Sequence, residues 1–311
     1  MPAPLRVVFM GSPSFAVPSL RRLLSDGHTL VLVVTQPDRP AGRGQALHPP
    51  PVKLAAERDG LPLLQPEKLN DPAVQSAMAD ARPDVITVIA FGQFLPRALR
   101  ELPPLGCLNV HASLLPKYRG AAPINWALIR GETVTGVTIM RVEGGMDTGA
   151  VLLQRAIPIA PEDDAGSLHD RLADLGAAAL SDALQTLARG ETVWTPQNDA
   201  EATQAPKIRD EDCRVDLLGD PMRFVNRVRG LSPGPGAYLL RIGQRLKVLR
   251  AEKREEAGPP GSILRIEGQA IVCGTGTGAV ALVEVQPEGK RRMTGAEFAH
   301  GQRLQAGDSF A

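Results

Sequence analysis

The sequence predicts an α/β protein: a doubly wound, mostly parallel sheet followed by a small OB-like β-barrel. Three observations carry this. The chain opens as strand, turn and helix, with Leu5-Arg-Val-Val-Phe-Met10 extended, Gly11-Ser-Pro-Ser-Phe15 turning, and a helix that runs to about Ser25 and stops at Gly27. The run Asp84-Val-Ile-Thr-Val-Ile-Ala90 is apolar on both faces, as a central parallel strand must be. Near the end, five short strands separated by glycine-containing turns occupy residues 237–241, 245–251, 261–267, 269–273 and 280–286, the spacing of a small barrel.

Between these landmarks the elements follow in order. Residues 30–35 form a second strand. The segment Thr35-Gln-Pro-Asp-Arg-Pro-Ala-Gly-Arg-Gly-Gln-Ala-Leu-His-Pro-Pro50 has no apolar period, so a long loop is expected, with Arg39 and Arg43 near its tip. It reads either as a phosphate-touching loop or as a solvated insertion. A helix over 51–59, a short strand at Leu63-Leu64 and a helix over 72–81 lead to the central strand, which Phe91 and Gly92 close. A short helix over 123–130 and a strand over 135–142 follow, then a strand over 151–159. Ser167-Leu-His-Asp170 reads as a capped helix start, and leucines at helical spacing from Leu168 to Leu187 give the helix a buried face until Gly190. His169, on its first turn, is expected to be structural or exposed.

Residues 191–206 carry Pro, Thr, Asn and Gln without a period and read as a linker. The expected division is therefore a domain over 1–190, a linker over 191–206 and a tail domain over 207–311. The tail starts with Asp220-Pro-Met-Arg-Phe-Val-Asn-Arg-Val-Arg-Gly230, a helix with an Asp cap, Pro at its first position and Gly beyond its end. Arg223, Arg227 and Arg229 give it a basic side, and Lys247, Arg250, Lys253, Arg254 and Lys290-Arg-Arg292 are candidates for a phosphate-facing surface.

Composition narrows the possibilities. With 311 residues, 43% of them apolar and 22% charged, the chain has the make-up of an ordinary soluble protein of one large or two medium domains. The net charge of +1 conceals a split: residues 1–206 hold 18 Lys/Arg against 21 Asp/Glu, and residues 207–311 hold 17 against 13. A basic tail points weakly to a polyanionic partner. Cys107, Cys213 and Cys273 are too few and too scattered for a zinc site or a disulfide framework, which fits a cytoplasmic protein. No signal-length apolar core and no stretch of about 18 apolar residues occurs, so neither a leader nor a membrane helix is expected. The turn after the first strand lacks the G-x-G-x-x-G spacing, and no dinucleotide is predicted.

The stretch with most chemistry is Cys107-Leu-Asn-Val-His-Ala-Ser-Leu-Leu-Pro-Lys-Tyr-Arg-Gly120. Its start reads as a strand, and residues two apart on a strand share a face, so Asn109 and His111 point the same way. Pro116 ends the strand and leaves a backbone loop beside that pair. A second segment, Gly144-Gly-Met-Asp-Thr-Gly149, sets Asp147 among glycines. Read alone, Asp147 is as readily a plain turn aspartate, and a single Asn or His at a strand end is commonly structural.

Taken together, Asn-x-His, Ser-Leu-Leu-Pro, Arg-Gly-Ala-Ala-Pro and Gly-Met-Asp-Thr-Gly, in this order, resemble the 10-formyltetrahydrofolate-dependent formyltransferases. The resemblance runs nearly end to end, strongest over residues 107–149 and over Thr35 to Gly44, weakest over 251–311. It implies a Rossmann-like catalytic domain, Asn109, His111 and Asp147 as the catalytic set, and Ser113, Leu114, Leu115 and Pro116 lying against the folate. It implies 10-formyltetrahydrofolate as the formyl-donor cosubstrate, with no metal and no nucleotide. Members acting on methionyl initiator tRNA carry a similar basic loop and a lysine after the linker, which makes Arg39, Arg43 and Lys207 candidate tRNA contacts and the tail the tRNA-binding domain; a monomer is expected, although the sequence does not itself reveal the oligomeric state. Lys117 stands where arginine is usual, and Ser232-Pro-Gly-Pro235 has glycine where a bulky aromatic is frequent.

Formyl transfer needs donors aimed at the formyl oxygen, where negative charge develops as an amine attacks. The Asn109 amide can donate there, and so can His111 as imidazole or imidazolium. Asp147 beside His111 would favour the charged ring and fix its orientation, or help to pass a proton through water. Formylation of an amino-sugar nucleotide or another small amine is the alternative enzyme; it would need neither the basic loop nor the tail. A folate- or RNA-binding protein without catalysis would have no use for the three polar residues together.

Overall fold

The structure, a computed structural model, describes residues 3–41 and 46–310. Its chain divides into two compact units: one takes residues up to Gly120, Thr135–Ile157 and His169–Gln204; the other takes Ala121–Val134, Pro158–Leu168 and the chain from Ala205 onward.

The first unit is built on β1 (Arg6–Gly11), β2 (Thr29–Val34), β5 (Leu63–Leu64), β6 (Val85–Ile89), β7 (Cys107–His111), β8 (Val134–Arg141) and β9 (Val151–Pro158), in the order β5-β2-β1-β6-β7-β8-β9. The ladders β5/β2, β2/β1, β1/β6 and β6/β7 are parallel, and β7/β8 is antiparallel. Every residue of β6 is buried, as its unbroken apolar run requires. Helices α1 (Val17–Ser25), α2 (Pro51–Arg58), α3 (Pro72–Asp80) and the short α4 (Arg97–Arg100) connect the strands. Val8 and Met10 of β1, Ile86 and Val88 of β6, and Val74 and Met78 of α3 meet in one core on a single sheet face. The long helix α6 (Ala165–Ala188) passes so close to β7 that a Cβ on Gly176 would lie 2.9 Å from Val110 Cγ1.

Several boundaries differ from expectation. The presumed loop after β2 carries a two-stranded ribbon, β3 (Arg39–Ala41) against β4 (Ala46–His48), with Arg39 paired to His48; a ladder this short leaves no apolar period to read. Helix α6 begins before Ser167. Asp164 Oδ1 accepts from Ser167 N at 2.8 Å and Ser167 Oγ accepts from Asp164 N at 3.1 Å, so Ser167 closes a capping box from inside the helix and Asp164 is the cap. Residues 191–204 do not form a free linker. Thr195 and Val151 exchange both backbone hydrogen bonds, and Arg119 N donates to Thr203 O at 2.9 Å, which ties this segment to the first unit.

The second unit holds α5 (Pro123–Ile129), the four-residue α7 (Asp210–Cys213), α8 (Pro221–Leu231), β10 (Ala237–Arg241), β11 (Gln244–Arg254), β12 (Ile263–Glu267), β13 (Ala270–Gly274), β14 (Ala279–Pro287), β15 (Met293–Thr294) and α9 (Gly295–Gly301). All five predicted strands are present, as an antiparallel sheet in the order β10-β11-β14-β13-β12, with β15 added to β14. Register shifts between Val248 and Ala251 bend the long β11. Phe224, Val228 and Leu231 of α8 pack with Val248, Leu282 and Val285 of the sheet. Gly230 lies within α8, which ends one residue later at Leu231. Its missing side chain admits α5, since a Cβ there would lie 2.7 Å from Ile129 Cγ1, and Asn125 Nδ2 donates to Gly230 O at 2.8 Å.

Candidate active site

Strand β7 ends the parallel run of the sheet, and its last residue is His111. Asn109 lies two residues earlier, paired with Val88 on one side and Met140 on the other. The two side chains therefore leave the same face of the sheet near the carboxyl ends of its strands, where open α/β sheets place their ligands. The Asn109 amide is half-buried and has no hydrogen-bond partner among the described residues. Its donors are free for a ligand.

His111 is 6% exposed and its ring is oriented by the loop that follows it. Nε2 lies 2.9 Å from Tyr118 O. A carbonyl oxygen can only accept, so Nε2 carries the proton, and the neutral ring keeps a lone pair on Nδ1. The Asp147 carboxylate faces that nitrogen, with Oδ2 at 3.6 Å. The expectation that His111 donates to a substrate in either protonation state is thereby corrected. The Nε2 proton is already committed, and only the charged ring has a second N–H, on Nδ1, to offer.

Asp147 Oδ2 also accepts from Gly120 N at 2.9 Å. Its residue has φ +54°, a left-handed conformation that aspartate tolerates better than most side chains. Gly149 lets the turn close, because a Cβ there would lie 1.8 Å from Arg141 O. The structure thus brings the Asp147 carboxylate to His111.

The segment Ser113, Leu114, Leu115, Pro116 is pinned from below by β8. Thr138 stands opposite His111 in the β7/β8 ladder; its Oγ1 donates to Ser113 O at 2.6 Å and accepts from Leu115 N at 3.1 Å. Gln154 Nε2 donates to Leu115 O at 2.7 Å and to Thr138 Oγ1 at 2.9 Å. Ser113 Oγ is turned inward, donating to Lys117 O at 2.6 Å. Thr138, Gln154 and Gln197 give no signal in the sequence, because each is a polar residue whose partners lie in remote segments. Alternation along β8 sets Thr138 on the face opposite Val137 and Ile139, and its burial follows from the strand being covered on both faces.

The predicted polyanion contacts differ in how each side chain is held. Arg39 makes an exposed ion pair with Glu67 at 2.7 Å, worth about 0–1 kcal/mol. Arg43 lies outside the described residues. Lys207 is exposed and makes no ion pair among the described residues. On α8, Arg229 does not belong to a basic face: it is half-buried, donating to Asn226 Oδ1 and Ala160 O, and burial lowers its pKa with Asp163 opposing. Arg223 and Arg227, together with Arg214, line a cavity of about 180 Å³ that also meets Asp216 and Asp220. Arg250, Lys253 and Arg254 pair with nearby glutamates, and Lys247 donates to Pro235 O. His169 packs edge-on to Phe15, lies 3.5 Å from Ser14 Oγ and contacts the neighbouring Asp170.

All three cysteines are buried and free, and burial pushes the thiols of Cys107 and Cys273 up to about 12. Among the described residues, no group of His, Cys, Asp and Glu has the arrangement to hold a metal ion, and no helix is long and apolar enough to cross a membrane.

A parallel sheet presenting a free amide and an oriented histidine–carboxylate pair at its strand ends has the make-up of an α/β group-transfer enzyme. It can steady charge on a carbonyl-type oxygen and shuttle a proton, with the side chains present. Residues 5–184 match the family described as formyl transferase, and residues 207–303 match the formyl transferase C-terminal domain. The chain belongs to the formyl transferase family. It is 48% identical over 305 residues to the methionyl-tRNA formyltransferase of Geobacter sulfurreducens, covering 98% of this chain and 96% of that one. With the methionyl-tRNA formyltransferase of Methylobacterium sp. (strain 4-46) it shares 47% identity over 311 residues, covering 99% of both. Among solved structures it resembles the N-formyltransferase of Helicobacter canadensis in complex with folinic acid and dTDP-3-aminofucose, with a TM-score of 0.69 at 15% identity over 91% of this chain and 99% of that one. It also resembles HypX of Aquifex aeolicus in complex with tetrahydrofolic acid, with a TM-score of 0.67 at 22% identity; it covers 96% of this chain but spans about half of HypX, 47%. At those identities the two structures bear on the fold alone.

Proposed function

We propose that this protein transfers the formyl group of 10-formyltetrahydrofolate to the amino group of methionyl initiator tRNA. The observation that carries the reading is the commitment of His111 Nε2–H to Tyr118 O, which leaves Nδ1 facing the Asp147 carboxylate, on a strand whose same face bears Asn109. The near full-length relationship to methionyl-tRNA formyltransferases supports the choice of acceptor.

In the reaction the amine nitrogen bonds to the formyl carbon, the bond from that carbon to the folate nitrogen breaks, and the proton lost by the amine goes to that nitrogen. Asn109 donates to the formyl oxygen as negative charge builds there, without changing its own charge. His111 accepts the amine proton on Nδ1, the only ring nitrogen with a free lone pair, and the adjacent Asp147 carboxylate stabilises the imidazolium so formed. The same Nδ1–H then returns the proton to the leaving nitrogen. Ser113, Leu114, Leu115 and Pro116, clamped by Thr138 and Gln154, supply a rigid wall for the folate. Arg39, Arg43 and Lys207 contribute positive charge that a tRNA backbone requires.

The test is transfer of labelled formyl from 10-formyltetrahydrofolate, offered methionyl initiator tRNA, free methionine and an amino-sugar nucleotide in competition. Label on the charged tRNA alone, abolished by Asn109→Ala, is the expected result. Label on a small amine would overturn the acceptor and leave the chemistry of the site standing.

A further inference from the structure

Gln197 lies in the aperiodic segment after α6, and every polar position of its side chain is spent on one task. Nε2 donates to Asp147 O and to Gly149 O, both at 2.8 Å. Oε1 accepts from Arg119 Nε at 3.0 Å and Nη2 at 2.8 Å. Arg119 is itself 7% exposed, and its Nη2 also donates to Asp199 Oδ1 at 2.7 Å. A single amide therefore joins the two carbonyls that bracket the turn at residues 147–149 to a buried guanidinium on the loop after β7.

The brace falls on a backbone held in the left-handed region. Asp147 adopts φ +54°, and a non-glycine residue stays in that region only when its surroundings hold it there. Gln197 hydrogen-bonds neither His111 nor the Asp147 carboxylate; it fixes the backbone from which that carboxylate reaches His111 Nδ1 and Gly120 N. The geometry points to Gln197 as a positioning residue that acts through Asp147, with Arg119 and Asp199 holding it in place. This rests on the reading above, in which Asp147 serves formyl transfer. The residue type is dictated by the contacts. Glutamate would keep the Arg119 pair but turn an oxygen toward two carbonyl oxygens. Asparagine has one methylene fewer between backbone and amide.

The experiment uses the full chain as wild type, Gln197→Glu, Asp147→Ala and the double variant. It reads formyl transfer to methionyl-tRNA and, separately, the Gly120 amide resonance by ¹⁵N NMR. In Gln197→Glu, kcat is expected to fall about ten- to a hundredfold with both KM values changed by less than about twofold. In the Asp147→Ala background the same substitution costs nothing further, and the Gly120 resonance moves in either single variant because its acceptor has shifted or gone. Should Gln197→Glu fail to fold, Gln197→Met, uncharged and of similar length, is read the same way. Losses that multiply in the double variant, or a Gly120 resonance unmoved by the Gln197 change, overturn the assignment whatever the activity. If the Gly120 resonance moves while the wild type formylates no tRNA, the brace on Asp147 stands and the proposed acceptor falls.

Discussion

Replacing Thr138 by valine removes one hydroxyl from the interior and almost nothing else, which makes it a sharp probe of how the segment 113–116 is held. Thr138 is fully buried, and its Oγ1 is bonded to Ser113 O, Leu115 N and Gln154 Nε2. Valine fills nearly the same space. Gln154 retains Leu115 O, so the groups left without a partner are Leu115 N and Ser113 O, both in buried residues. Each stranded group costs about 1–3 kcal/mol, and the removal of a buried hydroxyl offsets part of this, so the net loss is about 2–4 kcal/mol. Urea unfolding measures it through Trp194, which lies in the first unit, in a Trp126→Phe background. Thr138→Ser, which keeps the hydroxyl, is expected to lose only about 1 kcal/mol for its methyl group. If valine costs under about 0.5 kcal/mol, Thr138 does not anchor this loop and the account of the folate wall fails.

Other perturbations probe different parts of the argument. Asn109→Ala is expected to lower kcat by about a hundred- to a thousandfold while changing stability by under about 0.5 kcal/mol, since its amide has no protein partner to strand; parallel kinetics and melting measure both. Burial lowers the pKa of His28, with Asp26 opposing, and His28 Nδ1 accepts from Leu5 N at 3.1 Å. As pH falls through about 6.5 the unfolded chain takes up the proton first and the fold loses stability. In His28→Asn, which keeps an acceptor but does not titrate, the drop in Tm between about pH 7 and 5.5 is expected to shrink. Lys207→Ala is expected to reduce the slope of log affinity for tRNA against log salt by about 1, leaving folate KM unchanged.

The local rules of the chain were legible wherever a pattern repeats over neighbouring residues. The both-faced apolar run became β6, the leucine spacing became α6, and the Asp-Pro start became the cap of α8, where Asp220 Oδ1 accepts from Arg223 N at 3.0 Å. Period two likewise placed Asn109 and His111 on one face. Where local signals compete, the pattern misled: Gly230 reads as a helix stop, yet it sits inside α8 because α5 needs the room.

Tertiary structure alone decided how the site is held. That Tyr118 O takes the Nε2 proton of His111, that Thr138 catches both sides of Leu114, and that Gln197 braces Asp147 are contacts between segments brought together only by folding. A polar side chain in an aperiodic loop carries no trace of its partner, since hydrogen-bond geometry depends on where the backbone of another segment passes. Sequence determined which residues could do the chemistry; the packing of β8 and of residues 195–204 against the loop after β7 determined which atoms are free to do it.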